Sequence, residues 1–418
     1  MQDTTRLKFG SVSEDFLGMV DHTKVGVPRQ AVIEELAGDP EGTGHTTGIL
    51  PSQELERAVK VTKEIVGFDT ESSTVEEICD DQFQPASLDL RLGSVAYRVR
   101  ASFLPGKNVK VEQKLADLTM HKMDISKGGV LERGGVYIVP LLEQLNLRHR
   151  TSAMGNPKSS TGRIDIFTRL ITDNGTEFDR IREGYKGPLY AEVSPRTFTV
   201  LVRKGSRLSQ IRIRRGNPPS TDEAMRRLQH EHNVVDSAIS DDDIRNGVPI
   251  TVDVRGDRSG GVIGYKAKNH AGLIDVDKVR QYDISDYWEP VYTPRKGGLI
   301  LDPADFYILA SREPVKIPPT YAAEMIAYDT LVGEFRVHYA GFFDPGFGHP
   351  DAGSEGAHAV LEVRSYEVPF IIEDGQIVGR LTYERLTAKP TRLYGRNVNS
   401  SYQSQGIALS KHFKQPQS

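Results

Sequence analysis

Two stretches, GGVLERGGVYIV (128–139) and GGLILDPADFYIL (297–309), are versions of one another. Leu131 matches Leu301 and Tyr137 matches Tyr307, in both cases 170 positions on. The same offset relates YAEVSP around Glu192 to VLEVRSY around Glu362. It also relates LVRKGSRLSQIRI (201–213) to IIEDGQIVGRLTY (371–383), where Gly205 matches Gly375. One offset held over about 75 residues marks a tandem duplication. Within each copy, short alternating runs such as SLDLRLG, VYIV, FTVLV and QIRIR are bounded by Gly, Pro, Asn and Asp, the pattern of short strands. The fold class that fits is mainly β: two small barrel-like or jelly-roll domains with a few helices.

Working outward, Pro51-Ser52 followed by QELERAVKVTKEI predicts a helix opening the first copy, with Ser52 as its N-cap. Residues 1–47 read as a polar extension, 48–215 as the first repeat, 216–250 as a charged helical connector and 251–418 as the second repeat. The tail from about 395 is polar, and without ligand it is expected to be mobile.

Composition narrows the function. The 418 residues include 39 Gly and 23 Pro, a turn-rich mixture that favours β structure. Lys and Arg number 53 against 57 Asp and Glu, so no basic field invites a nucleic-acid backbone. Cys79 is the single cysteine, which can form neither an internal disulfide nor a cysteine-rich zinc site, and a reducing compartment is the natural expectation. The N-terminus MQDTTRLKFGSVSEDF has no apolar core of a secretory signal, and no run approaches about 18 apolar residues. The expectation is a cytoplasmic protein that binds neither membrane nor nucleic acid.

Three segments carry chemistry. Asn156-Pro157-Lys158-Ser159-Ser160-Thr161-Gly162-Arg163 packs two cations and three hydroxyls into eight positions, a turn suited to a polyphosphate, although an isolated loop of this kind also serves as a solvated turn. In the second copy, His338-Tyr339-Ala340-Gly341-Phe342-Phe343-Asp344-Pro345-Gly346 is an apolar strand entering a Pro-Gly turn. Asp344 there either reads a sugar hydroxyl or caps the turn. Glu362, in AVLEVRSY, either points to solvent or sits in a pocket, where desolvation would raise its pKa into the range of a general base. The histidines show no metal spacing; His230 and His232 fall on the connector without nearby ligating partners.

Together these segments resemble the deoxycytidine triphosphate deaminase family, within the deoxyuridine triphosphatase-like superfamily, over roughly 48–213 and 290–408. QPASLDLRLG (84–93) resembles the family's early strand, KSSTGR (158–163) its phosphate and catalytic motif, and AGFFDPGF (340–347) its nucleoside hairpin. Val360-Leu361-Glu362 resembles its catalytic strand, and Tyr394, Tyr402 and Gln405 its C-terminal closing segment. The resemblance implies two dUTPase-like distorted β-barrels. Motif losses are complementary: copy one shows FDRIREGYKG (178–187) in place of the hairpin, and copy two shows AYDTLVGE (327–334) in place of the serine pair and arginine. Ser401 stands where the family carries a triphosphate-binding lysine.

The implied site is composite, with Ser159, Ser160 and Arg163 from copy one meeting Asp344, Glu362 and Tyr394 from copy two, within a chain or between chains. By resemblance, Glu362 activates water for attack at cytosine C4 of dCTP, held by the Ala340 carbonyl and the Ser159 hydroxyl, while Arg163 stabilises charge. Lys158, Ser160, Asp344, Val360, Leu361, Tyr394 and Gln405 would bind the nucleotide. Mg²⁺ would arrive with the triphosphate, and no zinc is implied. A homo-oligomer with sites between repeats is expected, with dTTP a candidate feedback inhibitor. Two alternatives stand beside this: a bifunctional dCTP deaminase and dUTP diphosphatase, and a non-catalytic nucleotide-binding regulator. Glu192 is either functional or a relic.

Overall fold

The computed structural model describes residues 45–418 except 219, 237–238, 257–260, 296–297, 327–335, 339–340, 366, 396–405 and 415–418; at 336–338 it describes the backbone alone. Of the polar extension 1–47, only residues 45–47 fall within the described residues.

The duplication is visible strand by strand. In copy one, Ser209–Arg215 lies between Gly48–Ile49 and Thr151–Pro157, and the latter pairs with Arg180–Ile181. In copy two, Ile377–Arg385 lies between Val248–Thr251 and Tyr321–Ile326, and the latter pairs with Phe342–Phe343. A second sheet repeats likewise: Ile166–Thr172, Lys186–Pro195 and Val136–Asn146 in copy one answer to Arg336–His338, Ala357–Arg364 and Phe306–Val315 in copy two. Register is preserved to the residue, since Glu192 stands opposite Ile138 and Glu362 opposite Ile308. A third ladder, Gly129–Leu131 with Val200–Val202, returns as Leu299–Leu301 with Phe370–Ile372. The architecture is a β fold of curled antiparallel sheets.

The two copies share hydrophobic interior. The first copy's core continues into Tyr287, Trp288, Phe306, Ile308, Val360 and Phe413 of the second. Phe198 of copy one meets Tyr287 and Trp288 edge-on, with centroids 5.7 and 5.6 Å apart. Strand Ile274–Asp275 joins the edge of Val200–Val202 in parallel, and Arg203 clamps it through Asp275 at 2.8 Å. Residues 45–418 accordingly form one compact unit.

One local expectation is corrected. The opening helix runs Ser52–Lys60 with Pro51 as N-cap, because the Pro51 carbonyl accepts the N–H groups of Glu54 and Leu55 at 3.0 Å. Ser52 is its first helical residue, and its hydroxyl lies 3.2 Å from that of Thr391. The segment between the repeats forms helix Asp222–His232, capped by the Thr221 hydroxyl. Its Met225 and Leu228 enter the second copy's core. Among the described residues, no helix is long and apolar enough to cross a membrane, and no group of three or more His, Cys, Asp or Glu is placed to hold a metal.

Candidate active site

Strand Ala357–Arg364 is buried on both faces, and its period of two sorts the side chains. Ala359, Leu361 and Val363 enter the second copy's core, whereas Val360 enters the first copy's. Glu362 and Arg364 share the face of Val360 and point at copy one, where Arg364 pairs with Asp165. Glu362 is only 4% exposed. Burial pushes its carboxyl up to about 8; Arg163 opposes that rise and Asp165 adds to it.

The facing segment is built by a sharp change of direction. Strand Thr151–Pro157 ends at a proline, Lys158 stays extended, and Ser159–Gly162 make one helical turn closed by the Arg163 N–H on Ser159 O at 3.0 Å. Asp165 then adopts a left-handed conformation, φ 54°, which Asp tolerates better than most residues, and turns the chain into Ile166–Thr172. The result buries Ser160 and Arg163 and leaves Lys158 and Ser159 half-buried at the mouth. Lys158 is ion-paired with Asp89 of strand Leu88–Leu90.

The Asp-Pro-Gly turn of copy two is closed by the Phe347 N–H on Asp344 O at 3.1 Å. Gly346 is required there: its φ is +93°, and a Cβ would come within 3.2 Å of Leu393 Cβ. The Asp344 carboxylate neither caps this turn nor faces solvent. Arg212 of copy one holds it at 3.0 Å, while also donating to Phe343 O and Ala323 O at 2.8 Å each and stacking 4.0 Å from the Phe342 ring centre. Burial raises the Asp344 pKa, and Arg212 counters it.

The end of the chain returns to the same place. Tyr394 donates its N–H to Pro345 O at 2.9 Å and packs on Phe347, centroids 5.5 Å apart. Arg392 reaches Glu56 and Asp80 of copy one, both at 2.8 Å. Of the tail from about 395, residues 396–405 and 415–418 lie outside the described residues, and the segment Ser410–Phe413 is docked. The Ser410 hydroxyl donates to Ser160 O at 2.8 Å, Arg163 Nη1 donates to Ala408 O at 3.1 Å, and Phe413 lies 5.4 Å from Tyr287 and 5.9 Å from Trp288. Apolar anchors outweigh the segment's polar composition. Lys411 is thereby brought into the field of Lys158, Asp89, Asp277 and Arg207; burial first, then the Lys158 charge, lowers its pKa. Ala340, Ser401, Tyr402 and Gln405 lie outside the described residues.

Family models place this geometry. The 2'-deoxycytidine 5'-triphosphate deaminase (DCD) N-terminal domain matches residues 46–217, and the corresponding C-terminal domain matches 221–413. The chain belongs to the dCTP deaminase family. A crystal structure of 2'-deoxycytidine 5'-triphosphate deaminase from Agrobacterium tumefaciens superposes with a TM-score of 0.76 at 53% identity, covering 82% of this chain and all of that one. A dCTP deaminase of Haloarcula marismortui is 29% identical over 187 residues, 43% of this chain and 87% of that protein. A "dCTP deaminase, dUMP-forming" of Methanobrevibacter smithii is 28% identical over 134 residues, 31% of this chain and 65% of that protein. Family membership makes the protein an enzyme acting on dCTP.

Within that family frame, one chain brings the two half-motifs together: Arg163 acts on Glu362, and Arg212, Lys158 and Asp89 act on Asp344. The repeat mate Glu192 has a different setting. Arg169 closes on it at 2.6 Å, and the Arg169 guanidinium sits 3.4 Å over the ring of Phe178, the first residue of the segment that replaces the hairpin. Phe103, Leu118 and Phe178 pack around Ile138 and Tyr190 beside it. Sequence reasoning missed Arg212, Asp89 and Lys411. Arg212 sits in QIRIRR (210–215), one of the short alternating strands, and only its buried partner in copy two marks it.

Proposed function

We propose that the chain catalyses hydrolytic deamination of dCTP to dUTP and ammonia at the single site between its copies. The observation that carries this reading is Glu362, a fully buried carboxyl with a pKa pushed up to about 8 and facing Arg163. A base needs a proton affinity near working pH, and burial supplies it here. The Glu362 carboxylate takes a proton from water as the hydroxide attacks C4 of cytosine. That proton passes to ring N3. The same carboxyl then takes the proton of the new C4 hydroxyl and delivers it to the exocyclic amine, and the C4–N bond breaks to release ammonia and leave the uracil carbonyl. Ser159 and the Ala340 carbonyl would hold the water, and Arg163 would stabilise charge on Glu362 and the ring amide.

The triphosphate, arriving as its magnesium complex, suits the mouth where Lys158, Lys411 and Arg207 gather around Asp89. Tyr394, held against the hairpin, would flank the sugar and phosphates. The described half-motifs, Ser159 to Arg163 on one side and Asp344 and Glu362 on the other, come from one chain.

Ammonia release from dCTP and Mg²⁺ after zinc chelation tests this, with chromatography separating dUTP from dUMP. Ammonia with dUTP is expected, and Glu362→Gln should bind dCTP while losing turnover by about 10²–10⁴-fold. Ammonia with dUMP would show that hydrolysis continues to the monophosphate. Binding of dCTP without ammonia would overturn the reading in favour of a nucleotide-binding regulator.

A further inference from the structure

We propose that Asp165 and Arg364 form a clasp between the copies that positions Glu362 against Arg163, and that both are positioning residues for the deamination. The proposal rests on the reading of Glu362 as the base.

The two facing segments carry charges of opposite order at the same spacing. Copy one presents Arg163 and, two positions on, Asp165; copy two presents Glu362 and, two positions on, Arg364. Arg163 faces Glu362 and Asp165 pairs with Arg364, so the segments meet in one register only. A slip would set like charge against like. The clasp is polydentate. Arg364 Nη2 donates to Asp165 and, at 2.9 Å, to Thr197 Oγ1, whose hydroxyl donates on to Asp165 Oδ2 at 2.5 Å. Arg364 Nη1 donates to Ala304 O. Asp165 is 1% exposed and Arg364 15% exposed at their side chains. The Asp165 backbone is fixed as well, its N–H on Gly162 O at 2.8 Å and its carbonyl accepting Arg196 N–H at 2.9 Å.

This arrangement acts through Glu362. The charged groups acting on its carboxyl are Arg163 and Asp165 from copy one; Arg364, on the same strand face, acts through its ion pair with Asp165, and His338 stands opposite Glu362 in the ladder. Asp165 favours the protonated carboxyl, and Arg364 compensates Asp165. Removing one partner or the other therefore moves Glu362 in opposite directions, which loss of packing alone would not do.

The test is the pH dependence of kcat/KM for dCTP in Asp165→Asn and Arg364→Met. Asp165→Asn should move the acid limb down by about one pH unit, and Arg364→Met should move it up by a similar amount, as expected for a neighbouring charge. KM at the pH optimum should stay within about twofold, since neither side chain is placed to touch substrate. Arg364→Lys should return the limb toward wild type. An unmoved limb in both variants, or movement of both in one direction, would overturn the proposal. A second readout needs no turnover: the infrared carboxyl band of Glu362, assigned by its loss in Glu362→Gln, should titrate with the same opposed shifts. Opposed shifts in a protein that releases no ammonia would uphold the clasp and defeat the deaminase reading. Ammonia release with an unshifted band would do the reverse.

Discussion

At the scale of the residue, Glu362 trades stability for proton affinity. Its folded pKa of about 8 lies above the ordinary 4.5, so the folded chain keeps the proton below about 8. The stabilising proton is fully present below about 4.5 and its contribution is lost as pH rises through 8. On the proposed reading catalysis has the opposite sign, because Glu362 as the base must be deprotonated. For the free enzyme, kcat/KM should rise about tenfold per pH unit up to about 8 and then level. Glu362→Gln, freed from burying a charge, should melt no lower than wild type at pH about 8. A rate profile already flat near neutrality would show that the carboxyl is not so perturbed. Glu362 was legible as a candidate because it interrupts an alternating apolar strand. That it is buried was not, because the face it shares with Val360 is covered by residues almost 200 positions earlier.

At the scale of the element, the C-terminal hook follows a logic that composition concealed. LSKHF reads as polar, yet Ser410 and His412 are each only 2% exposed and Phe413 3%. His412 Nδ1 lies 2.8 Å from Ser410 Oγ and Nε2 lies 2.9 Å from Val276 O. Burial lowers the imidazole pKa to about 4. A histidine held neutral gives its full contribution above about 6.5, and that contribution is lost as pH falls toward 4. Hydrogen exchange over 406–413 should therefore speed up between pH about 7 and 5, beyond the intrinsic change, while Val136–Asn146 stays protected. Phe413→Ala should release the hook at neutral pH at a cost of about 3–5 kcal/mol, seen as a lower melting temperature. A hook equally protected at both pH values would refute the neutral buried histidine. The strands at SLDLRLG, VYIV, FTVLV and QIRIR, by contrast, were readable, since the period of two and the Gly, Pro and Asp punctuation are local signals. A docking site for a short polar tail is not.

At the scale of the molecule, duplication has let the two copies specialise. The offset of 170 and the complementary loss of motifs were both written in the chain, so a composite site could be read before any coordinates. What the chain did not spell out was that one polypeptide supplies both halves, because that depends on the shared core built from Phe198, Trp288, Phe306 and Phe413. On the proposed reading, that core makes a second site at Glu192 unnecessary. In copy one, Arg169 pairs with Glu192 and stacks on Phe178. On that reading Glu192 holds structure, and Arg212, which grips the hairpin of the other copy, supports the site at Glu362. Glu192→Gln should retain dCTP turnover close to wild type. It should destabilise by about 1–3 kcal/mol, less than a fully buried pair because Arg169 is 24% exposed. Arg212→Met should lose both, costing about 3–5 kcal/mol because Asp344 stays buried without its cation, and it should lower kcat/KM for dCTP as the hairpin loosens. Paired melting curves and dCTP kinetics on the two variants decide the matter: equal losses of turnover would mean that copy one still runs a site of its own.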